Sequence, residues 1–523
     1  MKTYTLLVFF CFYSVSIFSQ SIIAEDTIKQ NTIWNTDTVF VKGNVFIPDS
    51  INLNIEPGVN VIVNGYYYID VKGSLTAKGA KADMIKFTIS DTTGFSDTSV
   101  VAGGWQGIHF NNVSESNDSS IFDYCIIEYA KVITDTLLGG GISAKDFSKI
   151  RISNSIIQHN YSYKQGGGLL FINSSPIISN NEFYYNKTYY YGGGIYIEGE
   201  SNALIKNNLF KDNSAFKLLY GPYGTGGGGC GSAVYVTNEE LYNTQNPIII
   251  NNKCFSNESV DGTIYESTVS SKVINNVICN NFGDGITNGH QLSHCIYSNN
   301  TVCNNYAPSG GITVFSNGLK MLNNIVWGNS YCYQTPQIYF LYGESTIEYN
   351  CIEGGGFKGE GNIDRNPEFV NPSPGVGLDY EGDQYDWSLS KNSPCINAGT
   401  PDTTDLYLPQ YDMAGNLRIM HDTIDIGAFE YQSDINSIFD FETTAKKFTV
   451  YPNPATNFVN ISFTQNINAN KFEIYNITGK LILLKQLESS LTTINVTDLS
   501  KGLYFYRIKY DDKTIDTGKF IKQ

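Results

Sequence analysis

The chain is predicted to be all-β: a solenoid of short stacked strands followed by a small C-terminal β-sandwich. Three observations predict it. A glycine run returns at a regular offset from an asparagine-rich block, and the apolar residues of those blocks fall into columns. The end of the chain then switches to alternating strands broken by Asn-Pro, Thr-Gly and Lys-Gly turns.

The first element precedes the solenoid. MKTYTLLVFFCFYSVSIFSQ carries a basic Lys2, an apolar run from Leu6 to Phe18 and a Ser19-Gln20 junction. The run is too short to span a bilayer and no stop-transfer follows, so residues 1–19 are predicted to be a secretory signal peptide. Cys11 follows Phe10, where a lipid-anchored cysteine would need a small neighbour, so no lipid anchor is expected. No later segment is long and apolar enough to be a transmembrane helix.

The solenoid is predicted over residues 20–431. GGGISA begins at Gly139, GGGLLF at Gly166, GGGIYI at Gly192 and GGITVF at Gly310. Asparagine-rich blocks end at Asn160, Asn186, Asn213, Asn257, Asn281, Asn305 and Asn329, in steps of 26, 27, 44, 24, 24 and 24 residues. Stacked, the blocks give one apolar column of Ile152, Ile178, Ile205, Ile249, Val273, Tyr297, Met321 and Ile347. A second holds Ile157, Phe183, Phe210, Cys254, Ile278, Val302, Val326 and Ile352. β-Branched and aromatic residues in such short runs favour strands, and no block has the roughly ten residues of helical period a helix needs. Parallel, in-register pairing between coils follows. A polar column of Asn181, Asn208, Asn252, Asn276, Asn300, Asn324 and Asn350 is predicted to be a structural hydrogen-bonded ladder, its members about 4.8 Å apart. The glycines allow positive φ at the turns between coils. A phosphate loop would continue into a helix, whereas Gly192–Gly194 leads into Ile195, Tyr196 and Ile197.

Net charge is −16 with a pI near 4.8, which argues against nucleic acid as a partner. Removing Cys11 leaves nine of ten cysteines, scattered and without a CxxC pair.

The glycine and FxxN repeats resemble polymorphic outer-membrane-protein repeats and other right-handed parallel β-helix proteins of the pectate-lyase-like superfamily. LNIEPGVNVIVNGYYYIDVKGSLTAKG and GGWQGIHF resemble the first coils of secreted bacterial members, and NPEFVNPSP, SPCINAGTPD and DMAGNLRIMHDTIDIGAFEY their closing segment. That superfamily holds lyases, hydrolases and non-catalytic surface proteins, so the resemblance implies a fold more than an activity.

Beyond a polar linker at 432–447, residues 448–523 resemble the type A C-terminal sorting domain of the type IX secretion system of Bacteroidota. The matching residues are Tyr451, Pro452, Asn453, Pro454, Gly479, Lys480, Gly502, Tyr504 and Lys519-Phe520-Ile521-Lys522. The resemblance implies export through the periplasm to the cell surface or medium, with the secretion machinery as partner. A bacterial source makes glycosylation at triplets such as Asn186-Lys-Thr188 a weak reading.

The 44-residue step marks an insertion, SAFKLLYGPYGTGGGGC from Ser214 to Cys230, with further residues near Glu239 and Glu240. Aromatics gather on that edge: Tyr161, Tyr163, Tyr189, Tyr190, Tyr191, Phe216, Tyr220 and Tyr223. They either cover the solenoid edge or bind sugar rings or a partner surface, for which tyrosine suits by its flat face and hydroxyl. Catalysis would need convergent carboxylates or a base; Asp261, Glu266 and Asp284 occupy adjacent coils, and Lys164, Lys187 and Lys211 lie near the aromatics. His290 and His294 stand four residues apart, about 13 Å on a strand and too far to share a metal. Cys279 and Cys303 occupy equivalent outward positions on neighbouring coils, where a disulfide is expected, with free thiols as the alternative. No cofactor is predicted; Ca2+ enters only with a lyase. The preferred reading is an exported, monomeric, adhesin-like protein that binds extracellular glycan or a partner surface without catalysis. The alternative is a polysaccharide lyase or glycoside hydrolase.

Overall fold

The computed structural model describes residues 21–134, 139–216, 229–238, 245–290, 294–331, 335–341, 344–420, 422–432, 448–463, 470–476, 479–487, 489, 491–510 and 513–523. The predicted signal peptide, residues 433–447 of the linker, Tyr220, Tyr223, Glu239 and Glu240 lie outside them. The chain divides into two compact units between Gln432 and Ser433.

The first unit is a right-handed parallel β-solenoid. One coil shows the path. Leu169–Ile172 lies in a sheet here called I, Ile177–Ser179 in sheet III and Glu182–Tyr184 in sheet II. The two-residue strand Lys187–Thr188 follows, and the chain returns to sheet I at Ile195–Glu198. Each strand pairs in register with its equivalent one coil on, as Ile195 with Val234 and Ile178 with Ile205. Sheet III has twelve such strands.

Strand alternation turns one set of side chains inward. Ile152, Ile178, Ile205, Ile249, Val273, Tyr297 and Met321 have no exposed surface, nor have Ile157, Phe183, Phe210, Cys254, Ile278, Val302 and Val326. Burying each such side chain is worth about 1.5–3 kcal/mol. Because coils touch mainly their neighbours, stability accumulates coil by coil.

The bend between sheets III and II is held by asparagine. Asn252 Oδ1 accepts from both N and Nδ2 of Asn208, at 2.9 and 3.0 Å. Its own N and Nδ2 donate to Asn276 Oδ1 at 2.8 and 3.0 Å, and Nδ2 also donates to the Ile205 carbonyl at 3.0 Å. The same bonds repeat from Asn181 to Asn350 and end on Asn362. A second ladder, not anticipated, stands at the bend after sheet II. It runs through Asn160, Asn186, Asn213, Asn257, Asn281, Asn305 and Asn329 and ends on Gln337 Oε1. Each bend needs a left-handed residue just before its ladder asparagine. Asn180, Asn207, Asn251, Asn275, Asn299 and Asn323 supply it, with φ between 55° and 58°; asparagine tolerates this region better than most residues. Gly192 is also left-handed (φ 70°), and a Cβ on Gly193 would meet the Ser232 carbonyl at 2.5 Å, so here the glycine run lets backbones approach between coils.

The segment from 367 to 431 folds back over sheet II. Trp387, Leu389, Cys395, Ile426 and Ala428 pack on Phe255, Val277, Cys279, Cys303, Ile325 and Cys351. Of the two readings for Cys279 and Cys303, the structure has the free thiols: they point out of the coil, stand in register and are buried by the closing segment. The left-handed asparagines serve as hooks for the segment: Asn280 Nδ2 donates to the Gly375 carbonyl and Asn299 Nδ2 to that of Asp425. Arg418, buried, donates to Asn275 Oδ1 and to the Asp425 and Gly427 carbonyls, and pairs with Glu430 at 3.2 Å.

The second unit pairs a three-stranded antiparallel sheet with a four-stranded one around Val459, Ile461, Phe472, Ile474, Ile508 and Phe520. Among the motif residues, Asn453 Nδ2 donates to the Lys519 carbonyl and Asn453 Oδ1 accepts from Ile521 N. Tyr504 OH donates to the Ser500 carbonyl, and Lys480 N closes the Gly479 turn on Asn476 Oδ1. Tyr451 is exposed and begins the Pro452–Pro454 stretch; Gly502 opens the strand Gly502–Tyr510.

Asn276→Ala removes the acceptor of Asn252 and the donor to the Ile249 carbonyl, both buried. Urea unfolding of this variant is expected to show a loss of about 3 kcal/mol. A loss under about 0.5 kcal/mol, the range of an ordinary surface change, would show that the ladder is dispensable.

Candidate functional site

The second residue of each sheet I strand faces outward. In three successive coils it is tyrosine: Tyr196, Tyr235 and Tyr265, paired in register. Coil spacing sets the rings face to face, Tyr196 to Tyr235 at 5.3 Å and 8°, Tyr235 to Tyr265 at 5.0 Å and 2°. Tyr191 joins this stack at 4.9 Å from Tyr235. Beyond it Tyr190, Tyr189 and Tyr163 continue the run, with successive centroids 6.0, 5.1 and 5.7 Å apart. The aromatics therefore extend from the edge onto the face of sheet I. Each contact adds about 0.5–1.5 kcal/mol beyond area burial. Tyr196 is itself buried. Its hydroxyl accepts from Gln165 Nε2 and donates to Glu198 Oε2, both at 2.7 Å, so it fixes the stack from within.

The structure redistributes the expected residues. Tyr163, Tyr189, Tyr190 and Tyr191 are brought together. Tyr161 is only 7% exposed and is corrected from the binding strip to the packed edge. Phe216 stands on a separate line, its ring 6.1 Å from Phe282, which continues to Tyr306. Tyr196, Tyr235 and Tyr265 were missed, although period-two alternation after each glycine turn marks them as outward.

Of the three carboxylates, two converge. Asp261 lies opposite Cys230, with Sγ 3.9 Å from Oδ2, and burial raises its pKa above the ordinary carboxylate range. Asp284 is fully buried. Its Oδ1 accepts from Ser309 N and Gly310 N and its Oδ2 from Thr313 Oγ1 at 2.7 Å. Burial, aided by the charge of Asp261, pushes its pKa up to about 6. Glu266 departs from the expectation: it faces the solenoid interior, where Asn288 Nδ2 and the Tyr297 hydroxyl donate to Oε1. It is the partner that lets a tyrosine occupy an apolar column, and burial raises its pKa too.

The expected bases do not gather on the face. Lys164 and Lys187 are exposed, and Lys211 is paired with Asp383 at 2.9 Å and Glu381 at 3.2 Å of the closing segment. His294 is exposed and His290 half-buried. Elsewhere on sheet I, Asp70, His109 and Ser143 align in register, with His109 Nδ1 2.7 Å from Ser143 Oγ. Burial pulls the His109 pKa down to about 4. Ser143 has no exposed surface, so this column has no nucleophile that substrate reaches. Among the described residues no three His, Cys, Asp or Glu side chains form a group that could hold a metal ion.

Comparison with known proteins places two regions. Residues 85–260 match the right handed beta helix region, and residues 449–523 match the secretion system C-terminal sorting domain. Over 99 residues the chain is 28% identical to a funoran endo-beta-hydrolase of Wenyingzhuangia aestuarii; the match covers 18% of this chain and 14% of that enzyme. Among solved structures, a periplasmic alginate epimerase is similar with a TM-score of 0.33 and 14% identity, over 66% of this chain and 76% of that one. A pectate lyase is similar with a TM-score of 0.29 and 14% identity, over 75% and 89%.

The Asp284 carboxyl generates a pH dependence. Its folded pKa, about 6, lies above the ordinary value of 3.8. Its contribution is therefore full below the ordinary value and is lost as pH rises through the folded one. An asparagine keeps the acceptor for Ser309 and Gly310 and offers a donor to Thr313. Thermal melts of Asp284→Asn are expected to gain on wild type between about pH 4 and about pH 7. A difference that stays flat across that window would refute the assignment.

Proposed function

From a right-handed β-helix exported to the cell surface or medium by its type IX sorting domain, we propose a protein that binds extracellular glycan through the tyrosine face of sheet I. The run from Tyr163 to Tyr265 carries this reading. Its rings offer flat apolar surfaces to sugar rings, and Gln165, Glu198 and Asp261 stand beside them as partners for hydroxyls. Rigid tyrosines lose little rotamer entropy on binding. The 28% identity to a funoran hydrolase is in keeping with a glycan ligand, without naming one.

Glycoside hydrolysis is the second reading, favoured by one observation. Asp261 is a half-buried carboxyl of raised pKa beside the stack, with Asp284 in the next coil. Asp284 spends its oxygens on Ser309, Gly310 and Thr313 and so is not free to act as the second carboxylate, which supports binding as the first reading.

Affinity electrophoresis against neutral and acidic polysaccharides tests the proposal, with reducing ends and ultraviolet-absorbing unsaturated products followed in parallel. Tyr191→Ala and Tyr235→Ala are each expected to weaken retention roughly tenfold, the equivalent of one lost stacking contact. Retention equal to wild type in both variants would exclude the face. Product formation that disappears in Asp261→Asn would move the assignment to hydrolysis.

A further inference from the structure

Four cysteines lie beneath the closing segment in two touching pairs. Cys279 stands opposite Cys303 on the neighbouring strand and hydrogen-bonds to it. Cys351, at the end of sheet II, donates to the Arg365 carbonyl at 3.1 Å and shares one buried cluster with Cys395 of the closing segment, which hydrogen-bonds to it. All four are buried among apolar side chains that include Trp387, Leu389 and Ile426. No three of them form a metal-holding group. A pair of thiols in contact leaves disulfide formation as its available chemistry, and the sorting domain delivers the chain to a compartment where disulfides persist.

We propose that Cys351 and Cys395 form a disulfide that latches the closing segment to the solenoid once the chain has left the cytoplasm. Cys279 and Cys303 join coils already stitched by both ladders, whereas Cys351 and Cys395 join the solenoid to a segment held by side-chain hooks and ion pairs. The step is thiol–disulfide exchange with an extracytoplasmic disulfide, from an oxidoreductase or a small thiol. Both cysteine protons leave, a sulfur–sulfur bond forms, and the two electrons reduce the donor disulfide to two thiols. Contact with Cys351, together with burial, raises the Cys395 thiol above the ordinary range, so exchange occurs as the segment docks, before its sulfurs are sealed. Once formed, the bond is shielded from reductant by the same apolar cover.

The test uses the full chain refolded in a mixture of reduced and oxidised glutathione. It is denatured with iodoacetamide in the absence of reductant, digested and mapped by mass spectrometry. A peptide holding Cys351 linked to one holding Cys395 is expected, with both alkylated only after reduction. In Cys395→Ala, Cys351 is expected to be alkylated without reduction. Reduction of the wild-type chain is expected to lower its melting midpoint by about 5 °C. Alkylation of both cysteines in the unreduced wild type, or a link from either to another cysteine, would overturn the proposal. The wild-type map decides this alone should the variant fail to fold.

Discussion

From Asn160 to Asn362 the solenoid depends on its asparagine ladders. A parallel coil must turn sharply at each corner, and a buried corner strands backbone groups that no strand can satisfy. The carboxamide solves both halves of the problem. Its oxygen takes the N–H of the coil before, and its amide reaches both the next oxygen and a carbonyl across the bend. With two such ladders fixing two of the corners, the sheets between them are held at one register, and outward positions repeat without drift. The tyrosine stack is a result of that register. Three tyrosines at one place in consecutive repeats become rings about 5 Å apart and parallel because the corners leave them no other arrangement.

The face and the closing segment divide the outer surface between them. Sheet II is covered, its outward residues converted into a second apolar core around Trp387 and Ile325. Sheet I keeps Tyr235 and Tyr265 half-open. The same device, an outward column on a regular coil, thus yields cover on one side and a recognition surface on the other. What differs is whether a later part of the chain returns to lie upon it.

That difference explains what was legible in the sequence. Columns such as Ile178, Ile205 and Ile249 were readable because inward packing is decided within one repeat and copied to the next. The first ladder was readable for the same reason. The second escaped notice because its members, Asn160 to Asn329, served only as markers of repeat length. Tyr161 and Tyr163 look equivalent in sequence, yet the strand Tyr161–Ser162 ends before Tyr163, and the first is buried while the second is exposed. Glu266 resembled a surface carboxylate because nothing local reveals that Tyr297, 31 residues on, brings a hydroxyl into the interior. The pairing of Lys211 was hidden by distance along the chain, since its partner Asp383 lies in the closing segment, 172 residues away.

The ladder is also directional. Every asparagine oxygen receives from the coil before it, so the amides align head to tail along the solenoid axis. A coil is in consequence a complete unit of exchange. Excising residues 276–299 would bring Asn275 next to Asn300, with the donor of Asn252 meeting an oxygen identical to the one removed. Length can therefore vary by whole coils while the corners, the core and the spacing of any outward column stay the same. The solenoid is a ruler whose graduations can be added or removed, and the tyrosine face occupies a fixed number of them.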